Sequence, residues 1–429
     1  MRVFGQRIEP FRGLFYNPTC SGPIKDMIAP PYDLIGPAMQ DSLYQRSPYN
    51  VVRIELARDP DRYQAAAYTL RGWLRDRILI RASKSAIYLY TQRFMVEGRK
   101  FTRHGFVLRI QLEDFAPGRI LPHERTFPAA KEDRLRLLIA TQTNISSIFG
   151  LYMKNPALDS LRARASEIQP LFSVVDDLGI ENELREISNP EDIAALQQAM
   201  AERQILIADG HHRYETALEY GRRRRAADPN PTAVQPSDYT MMTLVAADDP
   251  GLVILATHRV VKQLAAEAIA AFVQRAGIDF TIAEFADRRQ FQQRLIAAGA
   301  GAIGVAFKGD RVLRILRLKD LAAMAAMLPT TPAAVRELDV SILHTAIFER
   351  IFGITPEAVR AGGNLDYTID FNGALDKVAD GETDGAFLMN PPSIHDVERV
   401  SAAAATMPEK STYFFPKLAT GLVMNPLTD

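Results

Sequence analysis

Residues 205–215 read Ile-Leu-Ile-Ala-Asp-Gly-His-His-Arg-Tyr-Glu. The apolar run at the start predicts a short buried strand. Gly210 then predicts a turn, and the residues after it predict a helix that extends to about Ala226. A strand that leads directly into a helix is typical of α/β proteins.

The start of this helix has the chemistry of an anion-binding site. Backbone N–H groups in a first helical turn lack intrahelical partners, and the helix dipole adds positive charge there. His211, His212 and Arg213 add donors suited to a phosphate, and Gly210 lets the backbone approach it. Asp209 is suited to bind Mg²⁺ or to accept a proton from a hydroxyl. In the alternative interpretation, Asp209 only caps the helix.

Length and charge limit the classes of protein that fit this chain. About 150 residues per domain gives roughly two to three domains for 429 residues. Lys and Arg together number 51, as do Asp and Glu, so no global field attracts nucleic acid or an anionic membrane. Recognition of a charged ligand must therefore be local.

Cysteine usage and hydropathy predict a cytoplasmic protein. Cys20 is the only cysteine, which excludes an internal disulfide and a site with several thiolates from this chain. The N-terminal residues lack the apolar run of a signal peptide, and the apolar stretches are shorter than the roughly 20 residues that span a membrane. We therefore expect no membrane association.

Strands and helices alternate along the chain. Apolar spacing predicts a helix from Asp61 to about Ile78, and β-rich runs predict hairpins near residues 86–112 and 303–318. The proline-rich segment 228–237 predicts a linker. We expect a mixed α/β (α+β) protein with an N-terminal part, 1–227, and a C-terminal part, 238–429, that packs against it.

Two other segments contain candidate functional groups. His123 and Glu124 belong to a predicted loop, where functional groups often lie, although a surface loop is the alternative. Lys131 and Arg134 are three residues apart on the following helix and share a face that would suit a phosphate. Solvated charge is the more common explanation for such a pair.

Two later segments add further candidates for anion binding. His258 and Arg259 follow an apolar strand, although a histidine satisfied by backbone is the alternative there. A third cluster of hydroxyl and amine groups lies near the C-terminus and comprises Lys410, Ser411, Thr412 and Lys417. That cluster would cover a phosphate or a nucleobase, whereas an edge strand would explain the aromatic residues within it.

Several motifs along the chain resemble a single bacterial family. The motifs are IAPPYDLI (28–35), YNVVRIEL (49–56), LPHERT (121–126), KEDRL (131–135), IADGHHRYETA (207–217) and MPEKSTYFFPKLATGLV (407–423). Together they resemble the family catalogued as domain of unknown function 1015, and the resemblance covers nearly the whole chain.

The segment from Gly210 to Glu215 is similar to the phosphate-binding box of the ParB and sulfiredoxin superfamily. That resemblance implies a nucleotide-binding core with additional α/β layers. The sulfiredoxin nucleophile is a cysteine directly after the glycine, and His211 occupies that position here, which argues against sulfinic acid reduction. Asp209-Gly210-His211 looks most like the segment of free serine kinases in the same superfamily.

These observations predict a nucleotide-dependent phosphotransferase that acts on a small hydroxyl compound, with a free amino acid such as serine as one candidate. ATP or ADP with Mg²⁺ is the expected cofactor. The catalytic candidates are Asp209, Glu124 as general base, and His211. A noncatalytic nucleotide-binding regulatory module and a histidine-dependent hydrolase remain alternatives. The acceptor, the nucleotide base and the oligomeric state are left open.

Overall fold

The computed structural model describes residues 7–115, 118–124, 128–229, 233–361 and 363–428. They form two compact units. The first contains the described residues up to Pro122, those from 128 to Val253, and those from Pro416 onward. The second contains His123, Glu124 and Ile254–Phe415. The mixed α/β fold class is confirmed.

The helices are, in chain order, α1 (Pro18–Ser21), α2 (Ile24–Met27), α3 (Pro37–Arg46), α4 (Val52–Glu55), α5 (Arg62–Arg75), α6 (Pro128–Thr141), α7 (Pro156–Ser166), α8 (Pro190–Met200), α9 (His211–Ala226), α10 (Ala266–Ala270), α11 (Phe272–Asp279), α12 (Arg288–Ala298), α13 (Ala323–Met327), α14 (Ala333–Arg336), α15 (Asp339–Ile342), α16 (Arg350–Phe352), α17 (Pro356–Ala361), α18 (Phe371–Ala379) and α19 (Ile394–Ala402). Two 3₁₀ turns, at Tyr32–Leu34 and Pro236–Asp238, and a π-helical segment, Leu343–Glu349, complete the helical structure of the described residues.

The strands are, in chain order, β1 (Ile8–Glu9), β2 (Leu14–Tyr16), β3 (Leu79–Arg81), β4 (Ile87–Val96), β5 (Arg99–Gln111), β6 (Ile120–Leu121), β7 (Thr143–Asn144), β8 (Ile148–Tyr152), β9 (Phe172–Val175), β10 (Glu181–Ile187), β11 (Ile205–Asp209), β12 (Tyr239–Ala246), β13 (Val253–Leu255), β14 (His258–Val261), β15 (Phe280–Phe285), β16 (Ala302–Phe307), β17 (Leu313–Leu318), β18 (Leu365–Thr368), β19 (Gly385–Met389), β20 (Tyr413–Phe415) and β21 (Asn425–Pro426).

The first unit is built on a mixed nine-stranded sheet. Its order is β6-β11-β8-β12-β5-β4-β10-β9, with β1 paired to β5. Strands β8 and β12 run parallel, with Met242 opposite Ile148, and β6 runs parallel to β11. One core contains Leu89 of β4 with Leu158 and Leu196 of α7 and α8. All residues of β12 and the first six residues of β4 are buried, so both faces of the sheet are covered there.

Another core of the first unit lies around Trp73 of α5. It contains residues of α4, α5 and β3 together with Leu137 of α6 and Met424, which is fully buried. Residues from Pro416 onward therefore contribute to the core of the first unit, although the second unit precedes them in the chain.

The second unit contains an antiparallel six-stranded sheet with the order β15-β17-β16-β19-β14-β18. Ile303, Val305 and Phe307 of β16 face one core, whereas Ala302 and Ala306 face the other. This alternation follows from the two-residue period of a strand. The predicted hairpin near 303–318 is confirmed as β16 and β17.

The two units differ from the predicted division at residues 228–237. Strand β12 begins at Tyr239 and lies between β8 and β5 in the sheet of the first unit. The proline-rich segment therefore joins α9 to β12 within one unit. Prolines are common both in loops within a unit and in linkers between units. Composition alone therefore did not locate the boundary between the units.

Candidate functional site

The predicted strand-to-helix turn is present at Gly210. Strand β11 ends at Asp209 and α9 begins at His211. Gly210 has φ +92°, in the left-handed region that favours glycine. A Cβ atom at this position would lie 3.0 Å from the Arg213 guanidinium. Glycine therefore provides both the turn and the space for Arg213.

Asp209 is held by two cations. Lys417 donates from Nζ to Asp209 Oδ1 at 2.6 Å, and Arg213 donates from Nη2 to Oδ2 at 2.7 Å. Arg213 also donates from Nη1 to the Ser147 carbonyl at 2.5 Å. The three charged side chains are between 12% and 18% exposed. The first unit thus has a largely buried group with two cations and one carboxylate.

The electrostatics of Asp209 follow from these contacts. Burial by itself would raise the pKa of Asp209, but Lys417, Arg213 and the nearby His211 outweigh it and hold the pKa well below its usual range. Asp209 is therefore ionised at neutral pH. Asp209 is not the N-cap residue of α9, because Gly210 occupies that position.

The first turn of α9 carries the two predicted histidines. His211 is buried and His212 is half-buried. The fourth residue of α9, Tyr214, anchors the helix. Its hydroxyl donates to the Glu113 carbonyl at 2.8 Å and accepts from the Glu113 N–H at 3.1 Å. The positive end of a sixteen-residue helix is thus held at the end of a buried strand.

Arg134 and Glu55 form a second charged group in the first unit. Arg134 Nη1 donates to Glu55 Oε1 at 3.1 Å, and its Nε donates to Asp133 at 2.7 Å. Glu55, Arg134 and Arg213 line a small cavity of about 50 Å³. The sequence had placed Glu55 only inside a family motif, and the burial that distinguishes it depends on a distant helix.

Glu55 combines deep burial with an unused oxygen. It is 3% exposed, and burial raises its pKa although Arg134 and Arg213 oppose the shift. Ser146 also lowers the pKa, but no hydrogen bond of normal geometry reaches Oε2 within the described part of the chain. A carboxylate with a raised pKa is better suited to proton transfer than an ordinary one.

Lys131 and Arg134 do not share a partner. Lys131 Nζ donates to Glu215 at 2.8 Å and lines a cavity of about 560 Å³ beside α9. Arg134 instead lines the smaller cavity with Glu55. The two cations line different cavities, and their assignment to one phosphate-binding face stays a prediction.

In the second unit, His123, Glu124 and Thr412 lie together. His123 Nε2 is 2.9 Å from Thr412 Oγ1, and the Thr412 hydroxyl donates to Glu124 Oε1 at 3.4 Å. The His123 and Glu124 side chains are 3.8 Å apart. These residues, distant in sequence, were predicted to be functional, and their assignment to a nucleotide site stays a prediction.

His258 and Arg259 occupy buried positions on β14. The Nδ1 atom of His258 accepts from the Met389 N–H at 3.1 Å, and burial together with Arg259 lowers the His258 pKa to about 4. His258 is therefore a neutral histidine satisfied by backbone, as the alternative interpretation held. Arg259 donates to the Lys410 carbonyl at 3.0 Å, and the Ser411 hydroxyl donates to the Pro408 carbonyl.

The candidates thus form two groups. Lys417, Asp209 and Arg213 meet in the first unit, although Lys417 is about 200 residues away from the other two in sequence. The remaining C-terminal candidates, Lys410, Ser411 and Thr412, belong to the second unit. Their predicted convergence on Gly210 stays a prediction.

The geometry gives no support to Mg²⁺ at Asp209. Both of its oxygens accept from cations, and no cluster of three or more His, Cys, Asp or Glu side chains in the described ranges could hold a metal ion. Mg²⁺ at Asp209 would have to share these two oxygens with Lys417 and Arg213. The magnesium assignment stays a prediction.

Comparison with known proteins identifies the family. The family described as "Protein of unknown function (DUF1015)" matches residues 8–341, so the chain belongs to it. A search of curated proteins gave no match. The predicted family is therefore confirmed, and its description assigns no activity.

Solved structures show only distant similarity. A free serine kinase in complex with AMP is 14% identical, with a TM-score of 0.35 and coverage of 72% of this chain and 86% of that one. SbnI from Staphylococcus aureus, with a C-terminal truncation, is 11% identical, with a TM-score of 0.37 and coverage of 75% and 87%. A conserved hypothetical protein from Pyrococcus furiosus is 14% identical, with a TM-score of 0.35 and coverage of 72% and 93%. Scores this low support no functional argument.

Within the described residues, no helix has both the length and the apolar character needed to cross a membrane.

Proposed function

We propose that the protein is a nucleotide-dependent phosphotransferase that acts on a small hydroxyl compound, with a free amino acid such as serine as a candidate acceptor. The turn at Gly210 carries this proposal. It lies between Asp209, which pairs with Lys417 and Arg213, and the start of α9. A helix N-terminus with adjacent Lys and Arg is a recurrent arrangement for phosphate. ATP or ADP would be the phosphoryl donor.

The residues of the turn would bind the phosphates. Gly210, His211 and His212 would present backbone N–H groups, while Arg213 and Lys417 would donate to phosphate oxygens. These cations now bind Asp209, so a phosphate would compete with a carboxylate for the same donors. Such an exchange keeps the cations compensated in both states.

Glu55 is our candidate for the base in the first unit. It would accept the proton of the acceptor hydroxyl, whose oxygen forms a bond to the terminal phosphorus while the bond to the nucleotide oxygen breaks. ATP would leave as ADP, or ADP as AMP. Glu124 remains the candidate predicted from the sequence, and the two assignments can be separated by substitution.

Nucleotide titration tests the proposal directly. Isothermal titration calorimetry with ATP, ADP, CTP and GTP, each with and without Mg²⁺, should detect binding to the wild type. Arg213→Ala should weaken it roughly tenfold to a hundredfold, because a charge-assisted contact is lost. Arg213→Lys should recover only part of that affinity, since an ammonium cannot make a planar bidentate contact.

Arg223→Ala is the matched control, because Arg223 lies on the same helix, is exposed and pairs with Glu219. Each variant must first show the circular dichroism spectrum of the folded protein. Absence of binding by the wild type would contradict the proposal, and equal affinity in all variants would remove Arg213 from the site.

Turnover assays then separate the alternatives. Consumption of ATP or ADP that requires a small hydroxyl compound would support the phosphotransferase. Nucleotide binding without turnover would favour the regulatory module, and product formation without nucleotide would favour a histidine-dependent hydrolase.

A further inference from the structure

The second unit contains a cavity that the proposed phosphotransferase chemistry does not use. Its volume is about 650 Å³, within the range of small-molecule sites, and all its lining residues belong to this unit. Thr257 and Arg259 contribute polar groups from the start of β14, and Met389 and Met407 contribute apolar surface. Asp339, at the start of α15, also lines it.

Arg259 is a buried cation, and its hydrogen-bond partners among the described residues are neutral backbone carbonyls. It is 1% exposed, and its guanidinium donates to the carbonyls of Thr257 and Lys410 and lies 5.5 Å from the Tyr367 ring centre. In the described part of the chain, no carboxylate forms an ion pair with it, and its Nε has no hydrogen-bond partner. A buried charge without a counter-ion is costly.

A comparison within the same unit shows the usual arrangement. Arg314 is also largely buried, but it pairs with Glu284 at 3.0 Å and with Asp310. Arg259 lacks such partners, and burial lowers its pKa to about 10 although Tyr367 and Glu124 act against the shift. The difference between the two arginines is the cavity beside Arg259.

Two further groups define what the cavity could accept. The Thr257 hydroxyl is buried and has no hydrogen-bond partner among the described residues. Asp339 accepts from the Gly301 N–H at 2.7 Å, and burial, with a contribution from Asp396, raises its pKa to about 6. One part of the cavity therefore offers donors for an anion, and Asp339 offers an acceptor.

We propose that this cavity binds a small organic anion that also carries a hydrogen-bond donor. The carboxylate or phosphate of the ligand contacts Arg259 Nε and the Thr257 hydroxyl, and an amino group of the ligand contacts Asp339. The anion supplies the counter-charge that Arg259 lacks. The sequence had assigned Arg259 to the nucleotide site, whereas this inference gives it a separate ligand.

Four small probes test the inference on the full-length protein. None of them has an alcohol hydroxyl, the group that accepts the phosphoryl group in the proposed function. They are 4-aminobutyrate, phosphoethanolamine, succinate and inorganic phosphate, measured by isothermal titration calorimetry. We expect binding of 4-aminobutyrate or phosphoethanolamine, and weaker binding of succinate and phosphate, because the last two carry no amino group to pair with Asp339. The comparison of the first two distinguishes a carboxylate site from a phosphate site.

Substitutions assign the binding to the cavity. Arg259→Lys should weaken the affinity for the bound probe at least about tenfold. If Arg259→Lys does not fold, Thr257→Val provides the test instead and should also weaken the affinity. Asp339→Asn should weaken the amine-bearing probes more than succinate. Arg314→Lys is the control, since this buried arginine lies outside the cavity, and it should leave affinity unchanged.

Three results would overturn the inference. The first is that none of the four probes binds. The second is that the wild type and Thr257→Val bind the probes with equal affinity. The third is that ADP binds, the four probes do not, and Arg259→Lys loses the binding of ADP. The last result would place the cavity in the nucleotide site. Failure of the proposed phosphotransferase is distinguishable, because it is measured with nucleotides on Arg213 variants.

Discussion

At the scale of single residues, the central feature is a carboxylate shared by two cations. Asp209 contacts Lys417 and Arg213 with different oxygens. The local sequence places Arg213 four positions after Asp209, across one helix start. It could not show which atoms pair, or that Glu55 is buried against Arg134, since burial depends on residues far away in sequence.

Asp209 should make stability depend on acid pH. Its folded pKa is depressed, so its contribution is complete above its unfolded pKa of about 4 and is lost as pH falls towards the folded value. Asp209→Asn should therefore lower the free energy of unfolding at pH 7. Below about pH 4, the variant should lose less stability with falling pH than the wild type does. Urea unfolding, followed by the fluorescence of Trp73, the single tryptophan, measures this.

Asp59→Asn is the control for this measurement, because it removes an exposed carboxylate from the same unit. An unchanged acid dependence in Asp209→Asn would show that Lys417 and Arg213 do not stabilise the ionised form.

Glu55 and Glu124 make opposite predictions about turnover. If Glu55 is the base, Glu55→Gln should lower kcat by roughly 10²- to 10⁴-fold while nucleotide affinity changes little. The wild-type profile of kcat/KM against pH should show an acid limb above the usual range of a glutamate, because burial raises the Glu55 pKa. Glu124→Gln should retain that limb. The reverse pattern would return the role to Glu124.

At the scale of elements, close approach explains a glycine inside α9. A Cβ on Gly221 would lie 2.6 Å from the Ser237 carbonyl oxygen, so the helix packs directly against the 3₁₀ turn that precedes β12. Gly72, inside α5, has no such neighbour within 4 Å. Two helical glycines that look alike in sequence therefore have different causes.

Substitution by alanine should separate these two glycines. Gly72→Ala should stabilise the first unit by about 0.5–1 kcal/mol, the helix propensity difference. Gly221→Ala should destabilise it by roughly 1–3 kcal/mol, since backbone must move to admit the methyl group. Urea unfolding followed by circular dichroism measures both. A stabilising Gly221→Ala would mean that the Ser237 contact is not maintained in solution.

Elements that depend on local sequence signals were predicted, whereas pairings that depend on contacts between distant residues were not. Strand β11 and helix α9 were predicted because an apolar run, a glycine and a polar helix are local signals. The hairpin of β4 and β5 was predicted from Glu97-Gly98 between two β-rich runs. By contrast, the pairing of β12 with both β5 and β8 depends on contacts across the whole first unit. No local pattern contained it.

At the scale of the whole molecule, the chain leaves the first unit after Val253 and contributes to it again from Pro416. Each unit has its own buried cores, and Met424 and Met324 are fully buried in the first and second respectively. The boundaries of these units do not fall at residues 228–237. Contacts between distant segments, which composition does not reveal, decide where the units begin and end.

A matched pair of core substitutions tests this division. Met424→Ala should lower the stability of the first unit by roughly 2–5 kcal/mol, because it leaves a cavity in the core around Trp73. Met324→Ala creates the same loss in the second unit. Hydrogen exchange should report lost protection in the unit that carries the substitution. Equal loss in both units from either variant would show that their cores do not unfold separately.

The contact between Lys417 and Asp209 has a consequence for synthesis on the ribosome. Asp209 is translated long before Lys417, and the second unit lies between them in the order of translation. A nascent chain contains β11, α9 and the Arg213 partner of Asp209 early, but it lacks the Lys417 partner until residues near 417 leave the exit tunnel. A prematurely terminated chain would therefore contain the glycine turn without the complete charge arrangement, which links assembly of the site to completion of translation.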